Sequence, residues 1–234
     1  MVGRVTVQSI GLFVVAVVLS ASVAAKSPYL DLDGEKSFDG LYPVKKTHVD
    51  KAWAADDLDL SGYDKVLLLP TGLHYRPVKD PGRSRTAISR AEFFPLDDKQ
   101  KARLEKMAGE ELNKELGKLE RFEVVDKPGP GVLAIRGGIY DIVSRVPPET
   151  AGRVDYYLSS VGGATLVLEF VDISSNSVIA RVVDSRSAEQ RGFKSNTVTN
   201  GAEARRVMNQ WARLLRKGLE RIIEIDAEGK VVQN

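Results

Sequence analysis

The chain has 234 residues, 43% of them hydrophobic and 28% charged, with a formal net charge of +2. That length supports one domain with a sizeable core, and the near balance of charge does not point to nucleic acid. The absence of cysteine excludes a disulfide framework, a thiolate metal site, a cysteine nucleophile and lipidation at cysteine, and His48 and His74 are too few for a multi-histidine metal centre within one chain.

Residues 1–25 have the form of a secretory signal peptide. Arg4 stands in a short basic region, "SIGLFVVAVVLSASVAA" follows, and Val23 and Ala25 make a small-x-small pattern that places cleavage near Ala24 or Ala25. The apolar run is short for a spanning helix, which needs about 20 residues; the alternative is an uncleaved N-terminal anchor. Removing residues 1–25 takes Arg4 from the 34 basic residues and leaves 33 against 32 acidic ones. The mature protein is expected to be periplasmic or secreted, with no membrane span after cleavage.

Residues 26–59 show no sustained period and are expected to be an extended arm that lays Leu41, Tyr42, Val44 and Trp53 on the domain. Residues 60–226 form the domain, and residues 227–234 a tail. "DKVLLLP" begins as a buried strand, whose Pro70 limits pairing or marks a bulge. Residues 78–94, with Asp80-Pro81-Gly82, are expected to be a loop. A helix follows, capped by Asp97 or Asp98. Leu104, Met107, Ala108, Leu112, Leu116 and Leu119 form its apolar stripe. Arg103, Glu105, Lys106, Glu110, Glu111, Lys114 and Lys118 form its solvated face.

"FEVVD" is a short strand, and "VLAIRGGIYDIVSRV" another, bent or bulged at Gly137-Gly138. After a long loop comes the hairpin "GATLVLEFVDISSNSVIARVVDSR". A three-residue turn, Ser174-Ser175-Asn176, with Asn176 left-handed, sets Glu169 opposite Arg181, Thr165 opposite Ser185, Leu168 opposite Val182 and Phe170 opposite Ala180. A last helix carries Ala204, Met208, Trp211, Leu215 and Ile222 as its stripe, flanked by Val207, Leu214 and Leu219. Strand, helix, strands, hairpin and helix give an α+β, two-layer domain: one mixed or antiparallel sheet with two main helices on one face.

The candidate sites are few. Glu169 and Arg181 are a cross-strand pair that sheet register explains without a substrate. Asp172 supports the turn. Asp184 points to the core side and needs a partner, from Arg186 or from an arginine of the last helix. No catalytic motif of the G-x-S-x-G or H-E-x-x-H kind is present, "IRGGIYD" lacks the context of a nucleotide-binding loop, and no cofactor or metal is implied. Arg76, Lys79, Arg83, Arg85 and Arg90 gather in one basic loop able to hold an anionic envelope ligand. Arg153, Tyr156 and Tyr157 combine charge with aromatic surface in the long loop. The arginine-rich last helix could in principle lie on a membrane surface, but its Trp211 stripe fits packing on the sheet better.

"DGLYPV", "KAW", "YDKVLLLP", the hairpin and "WARLLRKGLE" together resemble the uncharacterised exported bacterial family DUF3313, over Tyr29 to Ile223. Many members of that family look like lipoproteins, and the turn of its hairpin often has glycine where this chain has Asn176. This chain lacks the lipobox cysteine. The family brings no activity and no site residues. The expectation is a periplasmic, cell-envelope protein that acts non-catalytically by binding an envelope protein or anionic envelope ligand, as an accessory or assembly factor. The alternatives are an envelope hydrolase using Asp184 or Asp141, or a small-ligand carrier.

Overall fold

The computed structural model describes residues 29–82, 84–148, 157–189 and 195–221. Among them, the strands are β1 (Tyr42–Pro43), β2 (Lys51–Ala54), β3 (Lys65–Tyr75), β4 (Glu123–Val125), β5 (Val132–Ser144), β6 (Ser160–Asp172) and β7 (Ser177–Glu189). The helices are α1 (Arg85–Arg90), α2 (Asp98–Leu116) and α3 (Thr197–Arg221). The strands form one mixed sheet in the order β1-β2-β7-β6-β5-β3-β4. β3 runs parallel to β4 and β5, because α2 carries the chain back between them, and the other pairs are antiparallel. No helix among the described residues is long and apolar enough to cross a membrane.

The hairpin register follows the alternation. Glu169 faces Arg181, Thr165 faces Ser185, Leu168 faces Val182 and Phe170 faces Ala180. The turn differs from the expected three residues. Asp172 faces Ser177, so residues 173–176 form the loop, and a bulge between Phe170 and Val171 absorbs the difference. The reason is local. The Asp172 carboxylate accepts from the Ser174 N–H and from the Ser174 and Ser175 hydroxyls, which winds the chain into a wider turn. Asn176 takes the left-handed conformation, φ 54°.

The N-terminal arm does more than lie on the domain. Its β1 and β2 extend the sheet beyond β7, with Trp53 opposite Arg181 and Ala54 opposite Ala180. Residues 78–94 are not all loop either, since α1 forms within them. Ile88 and Phe94, both buried, make a small separate cluster with Ala91. The spacing of these apolar residues is too short a signal to stand out beside Asp80-Pro81-Gly82.

A bulge falls at Gly137-Gly138, with the extra residue on the partner strand: Pro70 pairs with Gly137 and Gly72 with Gly138, leaving Thr71 unpaired between them. The two glycines allow close approach: a Cβ at Gly137 would lie 2.3 Å from the Val167 carbonyl oxygen, and one at Gly138 would lie 2.4 Å from Thr71 Oγ1. Another irregularity falls nearby, between Tyr140 and Val143 on β5, where Asp141 is left-handed with φ 56°.

α2 begins with a reciprocal cap. Asp97 Oδ1 accepts from Gln100 N–H at 2.7 Å, and Gln100 Oε1 accepts from Asp97 N–H at 2.9 Å. Leu104, Ala108, Leu112 and Leu116 of α2 join Met208, Trp211, Leu215 and Leu219 of α3 in one core. Leu219, a flanking position by sequence, is fully buried at the centre of that core. The sheet side of the core is made by Val66, Leu133, Ile135, Ile139, Leu166, Leu168 and Phe170. These strand positions share one parity, so both long helices cover one face. The opposite parity presents Leu69, Arg136, Tyr140, Thr165, Glu169, Arg181 and Ser185 on the other face.

Glu111 does not sit on a solvated face. It is buried, as is Glu115, and both hold α3. Glu111 accepts from Arg205 at 2.8 Å and from Asn209 at 2.7 Å. Glu115 accepts from Lys118 at 2.6 Å and from Arg216 at 3.1 Å. Arg205 and Arg216 thus have structural work between the helices. The Arg205 and Asn209 hydrogen bonds hold Glu111 below the usual carboxylate range, and those of Lys118 and Arg216 do the same for Glu115.

Folded-state carboxyls held low add stability above the unfolded value, about 4.3 for glutamate, and lose it as pH falls through the folded value. The urea midpoint is therefore expected to fall steeply below about pH 4, and Glu115→Gln is expected to flatten that acid limb. Arg216→Ala, which leaves Glu115 buried with fewer partners, is expected to cost about 3 kcal/mol at pH 7 in the same titration.

Candidate functional site

The two carboxylates that could serve as an acid or a base are Asp184 and Asp141. Alternation on β7 places Asp184 opposite Leu166, on the helix side, where it is 3% exposed. It accepts from Arg186 Nε at 2.6 Å, from Trp211 Nε1 at 2.8 Å and from Asp50 N–H at 3.3 Å. The cation is Arg186; α3 contributes the indole of Trp211 rather than an arginine. Asp184 also lines an open cleft of about 460 Å³, whose other walls include His48, Asp50, Arg206 and Gln210.

Asp141 lies elsewhere, on β5, and does not line that cleft. Its left-handed backbone turns it out of the strand, and it is half-exposed. Arg76 grips it with both Nε, at 2.6 Å, and a terminal nitrogen. That hydrogen bonding holds the Asp141 carboxyl below the usual range, so Asp141 is ionised at neutral pH and is no reservoir of a proton.

Arg76 leads to a cluster that chain order does not announce. Its guanidinium lies 5.2 Å from the centre of the Phe93 ring, and that of Arg145 lies 4.9 Å from the same ring. Arg145 also bonds Glu92 at 3.0 Å. Phe93 is thereby held by two cations, each on a carboxylate tether. The Phe94 N–H bonds the Ser144 carbonyl at 2.8 Å, which docks this segment against the end of β5. Beside it, His74 stacks on Tyr140 at 4.4 Å with the rings 4° from parallel, and the Tyr140 hydroxyl shares a hydrogen bond with Thr71 Oγ1 at 2.8 Å.

Of the basic-loop residues, Arg76 enters this cluster, while Lys79 and Arg90 are exposed on the segment that leads to it. Arg83 lies outside the described residues. Arg85 opens α1, and its side chain lies outside the described atoms. Arg153 and Tyr156 also lie outside the described residues, and Tyr157 is 68% exposed. Sequence reasoning missed Phe93 and Arg145. Both stand in runs that carry strand and loop signals, and only the docking of residues 92–94 on β5 brings them together.

On the sheet face away from the helices, Glu169 and Arg181 belong to a longer row. Glu169 accepts from Arg136 at 2.7 Å and from Arg181 at 2.9 Å, and Arg181 also bonds Asp39 of the N-terminal arm at 2.5 Å. Phe38, 93% exposed, caps Arg181 at 4.6 Å. The register pair is therefore a clamp for the arm.

A family model described as "Protein of unknown function (DUF3313)" matches residues 35–215. No curated protein matches the chain. Solved structures similar to it include the PelC dodecamer from Paraburkholderia phytofirmans, at 10% identity and TM-score 0.33, covering 70% of this chain and 95% of that one. Protein XCC0632 from Xanthomonas campestris is similar at 12% identity and TM-score 0.41, covering 75% and 93%. A putative neuraminyllactose-binding hemagglutinin homolog from Helicobacter pylori is similar at 13% identity and TM-score 0.31, covering 75% and 93%.

The two acids are expected to respond differently to loss of their arginines. Arg186→Ala leaves a carboxylate buried without a cation and is expected to cost about 3 kcal/mol. Arg76→Ala breaks an exposed, solvent-screened pair and is expected to cost much less than that. Paired urea titrations check this, and equal costs would contradict the burial difference.

Proposed function

We propose that this chain, which belongs to the family described as Protein of unknown function (DUF3313), is a non-catalytic cell-envelope protein that acts by binding. One observation carries the reading. The two carboxylates that could act as acid or base are each engaged by their own arginine, in separate parts of the sheet. A hydrolytic site needs two titratable groups converging on one reacting atom, and these do not converge. The hydrolase alternative loses support accordingly. The carrier alternative loses support from the filling of the helix–sheet interface by Val66, Leu133, Trp211 and Leu219.

Periplasmic or secreted placement rests on the form of residues 1–25. The binding surface we assign is the Phe93 cluster, with Arg76, Arg145, Lys79 and Arg90. Guanidinium groups fixed on an aromatic ring keep donors free for a further oxygen acceptor, which suits an anionic envelope ligand or an acidic patch on an envelope protein.

Crosslinking of the tagged protein in intact cells, with recovery and mass spectrometry, tests the reading. A discrete envelope partner or anionic ligand is expected from the wild type. Its yield is expected to fall several-fold in the double variant Arg145→Ala, Arg90→Ala, with export unchanged. Recovery of no specific partner, or of one indifferent to both substitutions, would sink the assigned surface.

A further inference from the structure

Among the described residues, neither edge of the sheet is covered along its full length. β4 pairs only with Lys65–Leu67 of β3, and β2 pairs only with Ala180–Val183 of β7. The two uncovered stretches differ. On β3, the Lys65 N–H bonds the Gly131 carbonyl on the β5 side, whereas the Asp64 carbonyl accepts from Glu123 N–H on the β4 side. Even-numbered positions therefore point outward, and Pro70 falls on that outward line. It has no N–H to offer, which blunts an exposed edge.

β7 has no such block. The Ile179 carbonyl accepts from Ala55 N–H, and the Ser185 N–H donates to Asp50 Oδ2 at 2.8 Å, so odd-numbered positions point toward the β2 line. The main chain of β2 ends its pairing at Lys51, opposite Val183. Beyond that point the Asp50 carboxylate stands in for the next strand carbonyl. The following groups on this line, the Ser185 carbonyl and the N–H and carbonyl of Ser187, face away from β6, and no strand among the described residues pairs with them.

This free edge is one wall of the 460 Å³ cleft, and α3 is the other. From Ser185 to Glu189 the edge runs about 14 Å, room for roughly four extended residues. The cleft is lined by the carboxylates of Asp50, Asp184, Glu189 and Glu203 against the guanidinium groups of Arg186 and Arg206. Over the described lining residues the formal charge is −2, counted as for the chain total of +2.

We propose that the cleft takes an extended, basic segment of a partner protein, which adds to β7 as the next strand. Its main chain donates to the Ser185 carbonyl and exchanges hydrogen bonds with the N–H and carbonyl of Ser187, and Glu189 and Glu203 select its lysine or arginine side chains. The proposal rests on the reading that the chain acts by binding. It uses a site apart from the Phe93 cluster, so either can fail alone.

The test is fluorescence anisotropy of a labelled peptide alternating lysine and valine, titrated with the full chain. A glutamate–valine peptide and a lysine–valine peptide methylated on alternate backbone amides serve as controls. The lysine peptide is expected to bind, and to weaken about tenfold on amide methylation or in Ser187→Pro. Glu203→Lys, on the α3 wall of the cleft, is expected to weaken it several-fold with the urea midpoint little changed, as is added salt. No binding of the lysine peptide overturns the proposal, as does equal binding of the glutamate peptide. Indifference to both methylation and Ser187→Pro places any binding away from the edge and also overturns it. A dimer of the chain that Ser187→Pro converts to monomer assigns the edge to a second copy instead.

Discussion

Asp184 is the point on which the arrangement of the parts depends. Its carboxylate is buried, and a buried carboxylate is tolerable only when its lone pairs are taken. Three donors from three segments take them: Arg186 from the same strand, Trp211 from α3 and the Asp50 N–H from the start of β2. Each donor fixes its own element. The indole sets the rotation of α3 over the sheet, and the Asp50 amide sets where β2 joins β7. Asp50 then returns the bond through its own carboxylate to the Ser185 N–H. A single desolvated charge thus ties the helix layer, the sheet and the N-terminal arm together.

The same logic repeats at lower stakes between the helices. Glu111 and Glu115 are buried on α2, and arginines of α3 reach across to them. This changes what the basic composition of α3 means. Arg205 and Arg216 serve the fold, which weakens any inference from their charge to a membrane surface or an anionic ligand. Arg206, with its side chain 61% exposed and only a 3.7 Å contact to Glu203, is the cation of that helix left facing the cleft.

Much of the fold was legible because periodicity is a local signal. The hairpin register, the left-handed Asn176, the α2 and α3 stripes and the core-facing position of Asp184 all follow from spacing alone. What was not legible depends on distant residues. Nothing near Trp53 says that it will lie opposite Arg181, and nothing near Glu111 says that Arg205 will bury it. The candidate site divides the same way. Arg76, Lys79 and Arg90 were visible as a run of charge. Phe93 and Arg145 became part of the site only when residues 92–94 docked on the end of β5. The glycines of β5 were visible too, but their reason, the Val167 carbonyl and the Thr71 hydroxyl pressed against them, lies on neighbouring strands.

The joining of β2 to β7 has a consequence for how the chain acquires its shape. Asp50 and Asp184 are 134 residues apart, and the Asp39–Arg181 contact spans 142. A ribosome delivers the arm long before its partner strand exists. The arm therefore has no sheet to join during most of synthesis, and its closure waits for the last third of the polypeptide. Contacts of such long separation carry the full entropic cost of loop closure before they return any energy, so they form late and slowly. Until then Leu41, Trp53 and the unpaired side of β7 stay accessible, which makes the nascent chain a natural client for holdase chaperones.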